Sequence, residues 1–201
     1  MRTNRFYILL TILIFALTSC STKELNPKEY INYFVDVDNG LTRIKTFDHL
    51  NFEVSLLNRD FLAVKNSLGN ISEIKKSKEE IQGLTYFTVK IYSDKLKDPF
   101  YAGIKDQQSY QERIRHSNGG IAKDFSVEYN NKVYECKQVI FEPTHGISRA
   151  ATISLAFDSL SIPKEFISDV KLIYNDKLFS LGNIKFNFKK DDLNNTPNLK
   201  L

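Results

Sequence analysis

The chain has 201 residues, 42% of them hydrophobic, with 28 basic against 24 acidic side chains and a net charge of +4. That length holds one domain of ordinary size. The small charge excess gives no argument for a nucleic-acid partner, which would need a concentrated basic face. Two cysteines are too few for a disulfide scaffold. The 15 Phe and 10 Tyr favour strands.

The chain opens with Arg2 and Arg5, followed by an uncharged run from Phe6 to Ser19. As a helix rising ~1.5 Å per residue the run reaches about 21 Å. A bilayer core is about 30 Å thick. The basic flank and short apolar run therefore fit a secretory signal better than a permanent span. Leu17-Thr18-Ser19-Cys20 then resembles the lipobox of bacterial lipoproteins. The resemblance implies recognition of Leu17, Thr18 and Ser19 by a signal peptidase and cleavage before Cys20. It also implies a diacylglyceryl group on the Cys20 sulfur and an acyl chain, palmitate for example, on the new amino group. A plain secretory signal with an incidental cysteine is the alternative. Each buried CH₂ of an acyl chain contributes about 0.8 kcal/mol, so two or more chains anchor stably without a spanning helix. Residues 1–19 are then a cleaved signal peptide and residues 20–25 a tether. Lys23-Glu24 is similar to part of the surface-export signal of Bacteroidetes lipoproteins. The anchor is expected in the outer membrane, on either its periplasmic or its surface face.

Residues 26–201 form the expected β-rich domain, with 26–83 as a candidate N-terminal subdomain. Asn26-Pro27-Lys28-Glu29-Tyr30 reads as a helix start, Asn26 as cap and Pro27 in the first turn. Asp38-Asn39-Gly40 closes that helix with a turn. Leu50, Phe52, Val54 and Leu56 alternate as in a half-buried strand. Arg59 to Lys65 fits a helical turn or a strand. Asn70 to Gln82, rich in Lys and Glu, reads as a connector with one helix, closed by Gly83. Phe87, Val89 and Ile91 mark the next strand. Ser109 to His116 reads as a short helix capped by Ser109, with Glu112 three residues later.

Strand then follows strand. Phe125, Val127 and Tyr129 alternate, Asn130-Asn131 suits a tight turn, and Val133 to Phe141 returns to Pro143. Ile153, Leu155 and Phe157 form another strand. Val170, Leu172 and Tyr174 precede the hairpin signal Asn175-Asp176, and Ile184, Phe186 and Phe188 complete the series. The fold class is mainly β: an antiparallel β-sandwich with two or three short helices. An immunoglobulin-like sandwich is the best fit to the second half, without that fold's Cys and Trp hallmark.

The chemistry-bearing residues are sparse. Asp36-Val37-Asp38-Asn39-Gly40 starts like a calcium loop, but glycine is fifth and position twelve is Phe47, so a turn is the better account. His49, His116 and His145 do not pair at metal-binding spacings, and no metal is expected. Arg113, Arg115 and His116 sit together near a helix C-terminus. They make a candidate anionic contact, such as a lipid headgroup, beside the simpler reading of cations at a helix end. Cys136 lies within a strand and reads as a half-buried core residue rather than a nucleophile. Glu79-Glu80 and Asp191-Asp192 read as solvated charge runs. There is no GxSxG, P-loop or GxGxxG, so no cofactor is expected. Tyr92, Phe100, Tyr101 and Tyr110 fall outside the alternating pattern and are candidates for an exposed, glycan-binding platform.

Asp158-Ser159-Leu160 is similar to the O-glycosylation acceptor of Bacteroidetes. The N-terminal helix, "DNGL" and the ending "YNDKLFSLGNIKFNF" resemble uncharacterised Bacteroidetes envelope lipoproteins, which implies location and fold but no active site. The expected function is a lipid-anchored envelope module, non-enzymatic, that binds a protein or glycan partner or supports an envelope complex. The alternative is an envelope hydrolase whose site is assembled by the fold, with a histidine beside a carboxylate or Cys136.

Overall fold

The structure is a computed structural model that describes residues 23–68, 70–81, 83–144, 148–160 and 165–201. Leu17, Thr18, Ser19, Cys20 and His145 lie outside the described residues.

The protein is mainly β, with an antiparallel eight-stranded sheet and five short helices among the described residues. A two-residue strand β1 (Glu24–Leu25) pairs in parallel with β10 (Asn198–Leu199). Helix α1 (Pro27–Val35) starts in a full capping box: Glu29 N donates to Asn26 Oδ1 at 3.0 Å, and Asn26 N donates to Glu29 Oε2 at 3.2 Å. The large sheet contains β2 (Thr42–Phe47), β3 (Leu50–Leu57), β4 (Leu84–Ser93), β5 (Phe125–Tyr129), β6 (Lys132–Glu142), β7 (Ala150–Asp158), β8 (Val170–Asp176) and β9 (Gly182–Phe188), in the order 2-3-4-7-6-5-8-9. Helices α2 (Arg59–Asn66) and α3 (Ile71–Glu80) fill the β3–β4 connection. Helix α4 (Gln107–Gly119) precedes β5, and α5 (Lys190–Asn194) follows β9.

Strand β6 joins the two layers. Its first part pairs with β5 and its second with β7, and the register shifts between Cys136 and Gln138. The extra residue reverses which side chains face inward: Tyr134 and Cys136 before the shift, Val139 and Phe141 after it. The sheet folds over at this bend until its outer strands meet. Arg43 of β2 donates from Nε to Asn187 O of β9 at 2.9 Å and from Nη2 to Asp192 Oδ2 at 2.8 Å. The two layers are thus halves of one nearly closed sheet. Gly40 allows this seam: its φ is +76°, and a Cβ there would fall 2.2 Å from Asp192 Oδ2.

The alternating residues read from the sequence face the interior. Phe52, Val89, Val127, Ile153, Leu172 and Phe188 are all fully buried. Rings from the two halves meet there, Phe87 against Phe188 at 5.8 Å and Phe52 against Tyr174 at 6.2 Å. One apolar cluster runs from Leu25 to Leu193. The Asn130-Asn131 turn is as expected: both residues have positive φ, 48° and 58°, which asparagine tolerates.

Some elements differ from the sequence reading, and strand β2 is absent from it. The helix expected at Ser109 begins earlier, because Asp106 is its cap and accepts from Ser109 N at 2.8 Å. These hydrogen bonds hold the Asp106 carboxyl below the usual carboxylate range. The Asp191-Asp192 run, read as a solvated charge run, lies in the helix α5, where Asp191 is exposed and Asp192 is half-buried beside Arg43. The first amide of α5, Lys190 N, donates to Asp169 Oδ1 at 2.8 Å, a cap supplied from the loop before β8.

Candidate functional site

Helix α4 packs beside the turn between β8 and β9 and leaves a cleft of about 300 Å³. Ser109, Glu112, Arg113 and His116 recur at helical spacing along one face of α4 and line it, with Lys177 and Leu178 opposite.

The turn is fixed by Asp176. Its buried carboxylate accepts from Tyr174 Oη at 2.8 Å, Leu178 N at 2.9 Å, Phe179 N at 3.1 Å and Leu181 N at 2.9 Å. Burial, and then the adjacent Asp176 charge, push the Tyr174 phenol well above its ordinary range. The Asn175-Asp176 hairpin signal is therefore a carboxylate that gathers the amides of a longer loop.

Arg113 anchors α4. Its Nη1 donates to Phe100 O at 2.8 Å and Ala102 O at 2.7 Å, and its guanidinium lies 4.9 Å from the Phe179 ring centroid. Desolvation lowers its pKa, opposed by the Asp176 charge. His116 Nε2 hydrogen-bonds with Asp124 Oδ2. The Asp124 side chain is fully buried at the end of the turn Ile121–Asp124, and Lys177 Nζ lies 2.7 Å from its Oδ1. The ammonium meets that oxygen as an ion-pair contact, outside hydrogen-bonding geometry. A buried carboxylate needs such partners, since an unpaired one is costly to desolvate. Gly120 makes room for the imidazole: a Cβ there would lie 2.7 Å from His116 Nδ1. Glu112, on the open side, accepts from Gln108 Nε2 at 3.2 Å.

The structure thus brings Arg113 and His116 into one cleft, while exposed Arg115 is not among the residues that line it. Sequence reasoning missed Asp124, Lys177 and the role of Glu112. The available signals were a glycine four residues after a histidine and an acid directly before a buried strand.

Among the four aromatics, Phe100 is buried. Tyr101 is 41% exposed and stacks on Tyr110, with centroids 4.3 Å apart and planes 13° apart. Tyr110 Oη donates to Asp98 Oδ2 at 2.9 Å, and burial with that bond pushes its pKa up to about 12. Tyr92 is half-buried on β4. The stacked pair stands at the start of α4.

The other candidates are apart from this cleft. His49 Nδ1 lies 2.5 Å from Asp48 Oδ2 in the β2–β3 turn. Cys136 Sγ donates to Gln138 O at 3.1 Å, and burial pushes the thiol up, as befits a structural residue at the bulge. Asp36 to Gly40 forms a capped turn. Ser159 is half-buried in a turn after β7, where its N donates to Gly83 O at 3.1 Å. Among the described residues, no three His, Cys, Asp or Glu side chains gather to hold a metal ion. No helix among them is long and apolar enough to cross a membrane.

Comparison with protein-family models, curated proteins and solved structures finds no match to the chain. The fold defines the class, a nearly closed antiparallel β-protein, and the cleft carries the functional argument.

Proposed function

We propose that this chain is a lipid-anchored cell-envelope protein, held in the outer membrane through Cys20, that works as a non-enzymatic binding module for an envelope glycan or protein. The anchor rests on the sequence, on Leu17-Thr18-Ser19-Cys20 after a short apolar run. The α4 cleft carries the binding reading. It is a polar recess lined by the cations Arg113 and Lys177, the carboxylate Glu112, Ser109 and His116, close to a stacked tyrosine pair with an exposed member. Paired charges and an aromatic face suit a polar ligand of low net charge.

Two experiments test this. Cys20→Ala should abolish incorporation of labelled fatty acid; unchanged labelling overturns the anchor. A photo-crosslinking residue at Glu112 should capture a partner in intact cells that the same residue at Val133, exposed on β6, does not. Equal or no capture from both overturns the binding role of the cleft. Protease treatment of the same cells assigns the membrane face.

One observation favours the second reading, an envelope hydrolase. His116 is oriented by a buried carboxylate beside a cleft, the arrangement of a general base and its orienting acid. Hydrolysis of ester or glycoside substrates by the full chain, lost in His116→Ala, would replace the binding reading.

A further inference from the structure

The second large opening lies between α1 and the end of α2. It encloses about 620 Å³, with Ile31 and Val64 among its apolar lining and Lys28, Lys65 and Leu68 around it. Leu68 is 96% exposed and has φ +50°. A leucine in this backbone region is unusual, since Gly, Asn and Asp dominate there. A bulky apolar side chain held in strained backbone and displayed to solvent points to something that covers it.

The length of the tether names the cover. Lys23 O accepts from Asn198 N at 2.9 Å and Leu25 O from Lys200 N at 2.8 Å, so the chain is fixed to the domain from Lys23 onward. Only three residue steps separate Lys23 from Cys20, a span of at most about 11 Å at ~3.6 Å per residue. A bilayer that holds lipid on Cys20 must therefore lie close to Lys23. The groove begins at Asn26, three residues further on. Lys23, Lys28, Lys65 and Lys200 are exposed around this end of the domain, against two exposed acids, Glu24 and Glu29, the second also accepting from Asn26 N in the α1 capping box.

We propose that the α1–α2 groove and Leu68 form the face on which the domain rests on the bilayer. Leu68 enters the interfacial region of the leaflet that holds the Cys20 lipid, and the lysines meet headgroup phosphates. This inference rests on lipid attachment at Cys20.

The chain contains no tryptophan, so single-tryptophan variants report cleanly. Full-length lipidated Leu68→Trp and Ile140→Trp proteins are reconstituted into vesicles of phosphatidylethanolamine and phosphatidylglycerol; Ile140 is exposed on β6. The expected result is blue-shifted emission from position 68, quenched several-fold more by brominated acyl chains than emission from position 140. Equal, water-like emission from both overturns the proposal. Blue-shifted emission that brominated lipid does not quench also overturns it, because protein rather than lipid then covers the site. Flotation separates the two premises. If Cys20→Ala floats as well as the parent chain, the anchor fails and the inference with it. If only the parent floats and position 68 stays unquenched, the resting face alone fails.

Discussion

At the α4 cleft each titratable side chain already has a partner: Arg113 two carbonyls, His116 and Lys177 the buried Asp124, Glu112 the amide of Gln108. At the α1–α2 groove the most exposed apolar side chain, Leu68, stands almost wholly in solvent. The cleft is polar and complete within the fold, so its stability and its shape are one property. The groove is apolar and open, so its most exposed residue is free to serve something outside the fold. Substitutions at the first region should act on folding and, through the shape of the cleft, on the partner it binds; those at the second should act on contact with the bilayer and leave the fold unchanged.

The largest effect is expected at Asp176. Asp176→Ala removes the acceptor for one phenol and three amides in the loop 177–181. Orphaned buried donors cost about 1–3 kcal/mol each, and some will recover water, so a loss of about 3–4 kcal/mol is expected. Urea unfolding measures it. A loss below ~1 kcal/mol would mean that the loop does not depend on its carboxylate and that the cleft is not preorganised.

Gly120→Ala probes the cleft more narrowly. The new methyl meets the imidazole while the backbone, φ −120°, is acceptable to alanine. His116 must turn away and leave Asp124 Oδ2 without its ring partner. Overpacking of this kind costs about 1–2 kcal/mol. Nitrogen NMR of the histidine ring should show loss of the Asp124 contact. An unchanged ring signal would show that the imidazole is not held as described.

Much of the fold was legible and little of the site, for one physical reason. Burial on one face prints a period of two on the sequence, so β3, β4, β5, β7, β8 and β9 could be read from their own residues. Strand β2 could not: Arg43 and Lys45 hold their charged ends 5.9 Å from the ring centroids of Phe188 and Phe186, at positions where apolar side chains would otherwise announce a strand. Helix α5 escaped because its cap, Asp169, lies 21 residues before Lys190. The cleft escaped for the same cause. Arg113 and His116 share a helix face, but Lys177 reaches Asp124 only after β5 and β8 have paired.

Acid separates capping from packing. Hydrogen bonds from Ser109, and from Lys190 with Asn187, hold the Asp106 and Asp169 carboxyls below the usual range. A depressed folded pKa contributes stability that is complete above the unfolded value of about 3.9 and is lost as pH falls through the folded one. The urea midpoint should therefore drop below about pH 4, and less steeply in Asp106→Asn, whose side chain caps without titrating. An identical profile in both proteins would remove Asp106 from the account.

The smallest stability effect is expected at Leu68, and it is the one that bears most directly on the contrast. Leu68→Asn removes an apolar side chain that buries almost nothing and places at φ +50° a residue suited to that conformation. The fold should be unchanged or gain up to ~0.5 kcal/mol, within the range of ordinary surface substitutions. A loss beyond 1 kcal/mol would show that Leu68 packs in solution, and the groove would then be closed rather than open. Should stability hold while reconstituted Leu68→Asn protein loses contact with the bilayer, the leucine is kept at a small cost to the fold for the sake of the surface it meets.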